Sequence, residues 1–212
     1  MTKRISNSIR IGVLALQGAV IEHREMLRRL GVEAVPVRLP AHLDGLDGLI
    51  IPGGESTTIG KLMVGYGLID PLRRAIEKGT PVYGTCAGLI LLARESGALS
   101  RPLLGVMDIA VTRNAFGRQL ASFEEDIVIP TLGEEPFHAV FIRAPAIDWI
   151  GPAAQEIARL HDGTIVAAEQ DTMLATAFHP ELSDDPRLHA RFIGLCARVS
   201  GKTVPTLMHT EE

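Results

Sequence analysis

The chain has 212 residues, of which 46% are hydrophobic and 22% are charged, a composition typical of a globular protein rather than a disordered one. Its formal net charge is −4, and no basic tract stands out in the sequence, so we expect no nucleic-acid partner. It contains two cysteines, Cys86 and Cys196. Two are too few for a disulfide framework, and the composition fits a reducing compartment.

The N-terminal region shows none of the features of a targeting or membrane segment. Residues 1–10 carry charges, and the apolar stretch 11–15 is soon followed by Gln17, Gly18 and Glu22. No run approaches the roughly 20 apolar residues needed to span a bilayer. We therefore expect a cytoplasmic protein with no membrane partner. A single domain should occupy residues 1–212, with its core over about 9–199 and a tail at 201–212.

The first half of the chain predicts alternating strands and helices. Apolar or alternating runs predict strands, and apolar residues at helical spacing predict helices. In order, these are a strand at 9–16, a helix at 19–30, strands at 33–39 and 47–52, helical structure over 57–78 with a break near 65–67 and 71, a strand at 80–84 and a helix at 86–96. This alternation predicts an α/β fold with a mostly parallel sheet and helices on both faces.

The second half of the chain predicts several strands in close succession. They are expected at 104–112, 126–129, 139–143, 164–170 and 173–178, before a closing amphipathic helix at 186–199. Strands without intervening helices indicate a partly antiparallel extension beside the parallel core.

A cysteine flanked by glycines lies between a predicted strand and a predicted helix, in Gly84-Thr85-Cys86-Ala87-Gly88. The turn from strand to helix crowds the backbone, which favours flanking residues without a Cβ. It also holds the central residue in a strained conformation at the carboxyl end of the sheet. The helix N-terminus favours a thiolate there, and the amide of Ala87 would stabilise an oxyanion. The alternative for such a motif alone is a buried core cysteine.

A base for this cysteine is found in the segment that ends Phe178-His179-Pro180-Glu181. His179 directly follows a predicted strand, and Glu181 would orient its imidazole, which together complete a nucleophile–base–acid triad. Taken alone, His179 could be a surface histidine and Glu181 a helix-initiating acid. The combination with Cys86 favours catalysis. The other histidines receive no catalytic role, Cys196 is expected in the core, and no residue spacing predicts a metal site.

Six sequence blocks follow one another along the chain. They are Leu14-Ala15-Leu16-Gln17-Gly18-Ala19 with Glu22-His23, Pro52-Gly53-Gly54-Glu55-Ser56-Thr57, Gly84-Thr85-Cys86-Ala87-Gly88, Arg113-Asn114-Ala115-Phe116-Gly117-Arg118-Gln119, Phe141-Ile142-Arg143-Ala144-Pro145 and Phe178-His179-Pro180-Glu181-Leu182. Together these blocks resemble the class I glutamine amidotransferase family over about residues 9–199. Two of them, Gly-Gly-Glu-Ser-Thr and Arg-Asn-x-Phe-Gly-Arg-Gln, narrow the similarity to the branch that supplies ammonia for pyridoxal 5′-phosphate synthesis.

The resemblance implies a three-layer flavodoxin-like fold and a role for each matched residue. Cys86 would attack the side-chain amide of L-glutamine to form a γ-glutamyl thioester, His179 would transfer protons, and Glu181 would orient His179. The resemblance also implies an oxyanion hole formed by the amides of Gly54 and Ala87. The glutamine site would consist of Gly54, Glu55, Ser56, Arg113, Ile142 and Arg143.

The chemistry requires no bound cofactor, because a thiolate, a base and an oxyanion hole suffice, and the resemblance further implies that a partner receives the ammonia. This partner is a (β/α)8-barrel pyridoxal 5′-phosphate synthase subunit in a hetero-oligomeric complex. Three alternatives remain open: a glutaminase for another pathway, a thiol hydrolase without a glutamine site, and a non-catalytic regulatory module. For single residues, Ser56 or Thr57 could be only a helix N-cap, and the arginines, including Arg118, could be solvated or contact a partner.

Overall fold

The computed structural model describes residues 8–97, 104–117 and 122–205, and its largest feature is a sheet of ten strands. The strands are β1 (Arg10–Leu14), β2 (Glu33–Val37), β3 (Gly48–Ile51), β4 (Val82–Thr85), β5 (Ala93–Glu95), β6 (Met107–Thr112), β7 (Ser122–Ile127), β8 (Phe137–Ile142), β9 (Ala146–Ile150), β10 (Gln155–Arg159), β11 (Ile165–Gln170) and β12 (Met173–Thr176). The α-helices are α1 (Val20–Arg29), α2 (Ser56–Gly65), α3 (Ile69–Glu77), α4 (Ala87–Leu92) and α5 (Arg187–Ser200), and short 3₁₀ helices occupy Pro40–Leu43, Pro130–Leu132 and Pro180–Leu182.

The sheet has a parallel half and a mostly antiparallel half, in which only the pairing of β5 with β6 is parallel among the described strands. Its strand order is β2-β1-β3-β4-β12-β11-β9-β6-β5, with β10 paired to β11. The first five strands of this order are parallel to one another. The pairs from β12 through β11 and β9 to β6 are antiparallel, and β7 and β8 form a separate antiparallel pair. The predicted α/β class with an antiparallel extension is confirmed.

Helices cover both faces of the parallel half. The chain passes from β1 through α1 to β2, and it later passes from β3 through α2 and α3 to β4 in the opposite direction across the sheet. Because such crossovers are right-handed, α1 lies on the face opposite α2 and α3. Helix α5 shares the face of α1, since His189 of α5 contacts His23 of α1. Strands β1, β3 and β4, covered on both faces, are almost entirely buried, as the apolar runs predicted.

Most predicted elements are present, and the break in the 57–78 segment separates α2 from α3. The helix predicted over 86–96 is wrong beyond Leu92, because residues 93–95 form β5 and pair with β6. The helix stops there because its last carbonyls are used elsewhere: Leu91 O accepts from Leu104 N at 2.7 Å, and Leu92 O accepts from Val106 N at 3.0 Å.

Two strands, β9 and β10, were not predicted. The residues of β9 lie between Pro145 and Gly151 and show no clear alternation of buried and exposed side chains. Its backbone hydrogen bonds go to β6 and β11, so pairing between distant segments stabilises a strand that local propensity does not indicate.

The described helices include none that combines the length and the apolar character that crossing a bilayer requires. The predicted tail at 201–212 lies partly outside the described residues.

Candidate active site

Four neighbouring parallel strands bring residues of the site to one edge of the sheet. Strand β1 leads to Gln17, β3 to Gly53-Gly54, β4 to Cys86 and β12 to His179. Their carboxyl ends meet where the strand order reverses, which is where open α/β sheets bind ligands. A cavity of about 370 Å³ opens at this edge, a size suited to a small molecule. It is lined by Gln17, Gly54, Glu55, Ser56, Cys86, Ile90, Arg113, Asn114, Ile142, Arg143 and His179.

Cys86 has the strained backbone that its motif predicts. Its φ is 47° and its ψ is −99°, a conformation that L-residues rarely adopt and that is often found at functional sites. A hydrogen bond from Cys86 N to Thr176 O of 2.8 Å fixes the turn. The flanking glycines allow the close packing: a Cβ on Gly88 would lie 2.0 Å from Ile51 O, and one on Gly84 would lie 2.7 Å from the carbonyl carbon of Gly88.

His179 and Glu181 form a buried pair beside the cysteine. The Nδ1 atom of His179 lies 2.7 Å from Oε1 of Glu181, and the side chains of the two residues are 9% and 0% exposed. The backbone N–H of His179 donates to Val140 O at 2.8 Å. Gly53 supports the imidazole from the other side, since a Cβ there would lie 2.3 Å from Cε1 of His179. The ring is therefore held with Nδ1 on Glu181, which leaves Nε2 for the thiol.

The groups around His179 favour its protonated, imidazolium form. Burial lowers the pKa of His179, but hydrogen bonds to Cys86 and Glu181, together with their charges, outweigh burial and raise this pKa to about 10. Burial raises the pKa of Glu181, but the interactions with His23 and His179 outweigh it and lower the pKa below its usual value. The carboxylate is therefore ionised at neutral pH and stabilises a protonated His179.

The cavity lining also carries a carboxylate and a guanidinium, those of Glu55 and Arg113. Glu55 is the N-cap of α2, with its carboxylate accepting from Thr57 N at 3.1 Å and Thr58 N at 2.7 Å. The alternative that Ser56 or Thr57 caps this helix is wrong. Burial raises the pKa of Glu55, but the hydrogen bonds from Thr58 and Thr57 lower it to about 2. The Nη2 atom of Arg113 lies 3.3 Å from Oε1 of Glu55, so this part of the lining holds both charge signs.

The remaining predicted residues surround the cysteine at different depths. Ile142 presents its carbonyl oxygen to Cys86 Sγ at 3.9 Å, and Arg143 follows at a φ of 45° with an exposed side chain. Ser56 is 4% exposed, and its hydroxyl has no hydrogen-bond partner among the residues described. Ala87 is buried at the start of α4, directly after Cys86, and does not itself line the cavity. Arg118 lies outside the described residues.

Several residues at the site received no role from the sequence. Gln17, Ile90 and Asn114 line the cavity, and Gln17 Oε1 accepts from Glu55 N at 2.8 Å. Behind Glu181 lies His23, which is fully buried. One feature of the sequence could have indicated that His23 is buried. It lies three residues before the buried Met26 on α1 and therefore on the apolar face of the helix.

No group of three or more histidine, cysteine, aspartate or glutamate side chains within 8–97, 104–117 and 122–205 is arranged to hold a metal ion. The side chains and amides described above, at this edge of the sheet, suit nucleophilic attack on a carbonyl or carboxamide carbon.

Comparison with known proteins shows similarity to glutamine amidotransferases over most of the chain. The model of the SNO glutamine amidotransferase family matches residues 13–198. The pyridoxal 5′-phosphate synthase subunit PdxT of Herpetosiphon aurantiacus is 58% identical over 188 residues, which cover 87% of this chain and 99% of that protein. The protein of the same name from Moorella thermoacetica is 57% identical over 185 residues, covering 87% and 98% of the two chains.

Solved structures agree with the fold. A structure described as a glutamine amidotransferase is 51% identical and superposes with a TM-score of 0.84, covering 88% of this chain and 98% of its own. A chain in the structure of PurLQS from Thermotoga maritima is 15% identical, with a TM-score of 0.67, and the match covers 88% and 98% of the two chains; it supports the fold alone. The class I glutamine amidotransferase fold is thus confirmed, and the chain belongs to the SNO glutamine amidotransferase family.

Proposed function

We propose that this chain is the glutaminase subunit of a pyridoxal 5′-phosphate synthase and hydrolyses L-glutamine to L-glutamate and ammonia. The observation that carries the proposal is that Cys86 and His179, the latter paired with Glu181, line one cavity together with Arg113 and Glu55. The relatives named as pyridoxal 5′-phosphate synthase subunits support the choice of pathway.

In the first half of the reaction, the sulfur of Cys86 attacks the side-chain amide carbon of glutamine. The proton of the thiol resides on His179, and the negative charge that develops on the amide oxygen is stabilised by the N–H groups of Gly54 and Ala87. When the C–N bond breaks, His179 gives its proton to the leaving nitrogen, which departs as ammonia. The product on the protein is a γ-glutamyl thioester at Cys86.

In the second half, water takes the place vacated by ammonia. His179, now neutral, accepts a proton from the water as the water oxygen attacks the thioester carbon. The same oxyanion hole stabilises the second tetrahedral intermediate. The C–S bond then breaks, glutamate leaves, and the thiolate–imidazolium pair is restored. Throughout both halves, Glu181 keeps Nδ1 of His179 protonated and directs Nε2 at the reacting atoms.

The charged wall of the cavity suits the zwitterionic end of glutamine. An arginine pairs well with a carboxylate, so Arg113, supported by Arg143, would hold the α-carboxylate. The ionised Glu55 would face the α-ammonium group. Ser56, whose buried hydroxyl lacks a partner among the described residues, and Ile142, whose carbonyl faces the sulfur, would complete the glutamine site.

The ammonia would pass to a (β/α)8-barrel synthase subunit in a hetero-oligomeric complex. Free ammonia becomes ammonium in water and loses its nucleophilicity, so release directly into a partner preserves it. We further propose that the chain acts as one domain in the cytoplasm and that docking of the synthase completes the oxyanion hole.

An ammonia-release assay with and without the synthase subunit tests this function. We expect glutamine hydrolysis in the complex, little hydrolysis by the chain alone, and none in the complex with Cys86→Ala. Treatment with 6-diazo-5-oxo-L-norleucine should label Cys86, as the glutamine site requires. Hydrolysis that survives Cys86→Ala would refute the catalytic assignment. A glutaminase that fails to rescue a vitamin B6 auxotroph would instead point to another pathway.

A further inference from the structure

A buried polar chain extends behind Glu181, on the side away from the cavity. It consists of His23 of α1 and His189 of α5, both 0% exposed, together with the buried Thr85. The Nδ1 atom of His23 lies 2.9 Å from Nε2 of His189. The Nε2 atom of His23 lies 3.1 Å from Thr85 Oγ1 and 3.3 Å from Oε2 of Glu181. The carboxylate oxygen that does not contact His179 therefore faces His23.

Both of these histidines are neutral at neutral pH. Burial lowers the pKa of His23, and it lowers that of His189 to about 3. A neutral imidazole carries one N–H and one acceptor nitrogen. Each ring can therefore donate one hydrogen bond only, and the direction of the whole chain depends on which nitrogen carries the proton.

The two possible directions differ in the buried groups that they leave unpaired. If His189 donates from Nε2 to Nδ1 of His23, then the Nε2–H of His23 lies near two oxygens, Thr85 Oγ1 at 3.1 Å and Oε2 of Glu181 at 3.3 Å. The atoms left without a hydrogen bond of good geometry within the described part of the chain are then two acceptors, Nδ1 of His189 and Oε2 of Glu181, and the second of these still has an N–H group beside it. In the reverse direction, a buried N–H of His189 would have no acceptor, and Oε2 of Glu181 would face a lone pair. An unsatisfied buried donor beside an unsatisfied buried carboxylate oxygen is the costlier outcome.

We propose that His23 is a positioning residue of this site, whose Nε2–H holds the second oxygen of Glu181 and thereby fixes the His179 ring against Cys86. The inference rests on the proposed glutaminase function. The same imidazole also contacts the other side of the site, because Thr85 Oγ1 accepts from Gly53 N at 3.0 Å. His23 therefore connects the segment that carries the base with the loop before Gly54.

A pair of substitutions at His23 separates positioning from packing. In the complex with the synthase, we expect His23→Leu to lower kcat for glutamine hydrolysis by about 10²-fold, the effect of a small misplacement of a reacting group. The KM for glutamine should change little, since His23 lies outside the cavity. The amide nitrogen of His23→Gln takes the place of Nε2, so this variant should recover most of the lost kcat.

Met26→Ala is the matched control, because Met26 is buried on the same helix and belongs to the apolar core. This variant should lower the melting temperature but leave kcat within about twofold. The proposal is wrong if His23→Leu retains the wild-type kcat, or if His23→Gln is as slow as His23→Leu. It is equally wrong if Met26→Ala loses as much kcat at the same loss of melting temperature.

Nitrogen-15 NMR of the histidine-labelled wild-type chain gives an answer even if His23→Leu fails to fold. We expect His23 and His189 to be neutral at pH 7 and protonated on Nε2. A His23 that is charged, or protonated on Nδ1, would overturn the proposal. If the wild-type complex releases no ammonia, the proposed function fails, whereas the protonated nitrogen of His23 still tests the contact with Glu181 by itself.

Discussion

Replacing Gly53 by alanine is the sharpest test of how the site is packed. The added Cβ would lie 2.3 Å from Cε1 and 2.9 Å from Nδ1 of His179, and 3.3 Å from Cβ of Cys86. Ordinary van der Waals contact begins at 3.4 Å, so the imidazole must retreat by about 1.1 Å. The ring cannot simply turn aside, because Nδ1 is bonded to the buried Glu181 at 2.7 Å.

Gly53→Ala should lower both the free energy of unfolding and the rate of glutamine hydrolysis. Overfilling a packed region destabilises by about 1–3 kcal/mol, which urea unfolding will measure. Displacement of a reacting group by about 1 Å lowers activity by about 10²-fold, which the ammonia-release assay will measure as kcat/KM in the complex.

Gly194→Ala serves as the control for this prediction. Gly194 lies within α5, and a Cβ there would meet nothing within 4 Å among the described residues. Alanine should therefore stabilise the protein by about 0.5–1 kcal/mol without changing activity. If Gly53→Ala instead keeps more than half of the wild-type kcat/KM, the inferred packing of Gly53 against His179 is incorrect.

Three further predictions concern charges at and behind the site. Glu181→Gln keeps the shape of the side chain but removes the charge that orients His179, so kcat in the complex should fall by about 10²–10⁴-fold; an unchanged kcat would exclude the orienting role. Arg113→Ala should raise the KM for glutamine by about 10-fold or more, as expected for a lost hydrogen bond to a charged group, while kcat changes less; an unaltered KM would place the carboxylate elsewhere. Burial holds the pKa of His189 at about 3, below the ordinary histidine value of 6.5. The unfolded chain therefore binds a proton that the folded chain excludes, and the free energy of unfolding should fall as pH drops from 6.5 towards 3, by up to about 1.4 kcal/mol per pH unit from this residue. Urea unfolding at several pH values between 7 and 5 gives the free energy of unfolding as a function of pH. Its slope should be shallower for His189→Phe than for the wild type, and equal slopes would contradict this.

The parts of the site that could be predicted are those encoded in short, contiguous segments. The strand–turn–helix around Cys86 was recognisable because crowding at the turn demands glycines at fixed offsets, and the structure shows Gly88 against Ile51 O. His179 and Glu181 were recognisable because a base and its orienting acid lie two residues apart after a strand. Their closeness to Cys86 then followed from parallel strands ending at one edge.

The parts that could not be predicted depend on partners far away in the chain. The carbonyls that end α4 are taken by residues after 103, so the sequence around Leu92 gives no reason to stop a helix there. Ser56 and Thr57 were alternatives for the cap of α2, but the carboxylate of Glu55 takes this position while also contacting Arg113. Local propensity carries no information about such contacts.

The sequence by itself determined the class of fold, the nucleophile and the residues that accompany it, because crowded turns and buried parallel strands restrict which residues are allowed at each position. Only the tertiary structure decided which buried side chains contact these residues from the side away from the cavity. The sequence around His23 shows only a histidine on a helix. The packing of α1, α5 and the segment after β12 brings its Nε2 to 3.3 Å from Oε2 of Glu181. Hydrogen bonds are short-range and directional, so a contact between residues so far apart in the chain is specified by the fold and not by either local sequence.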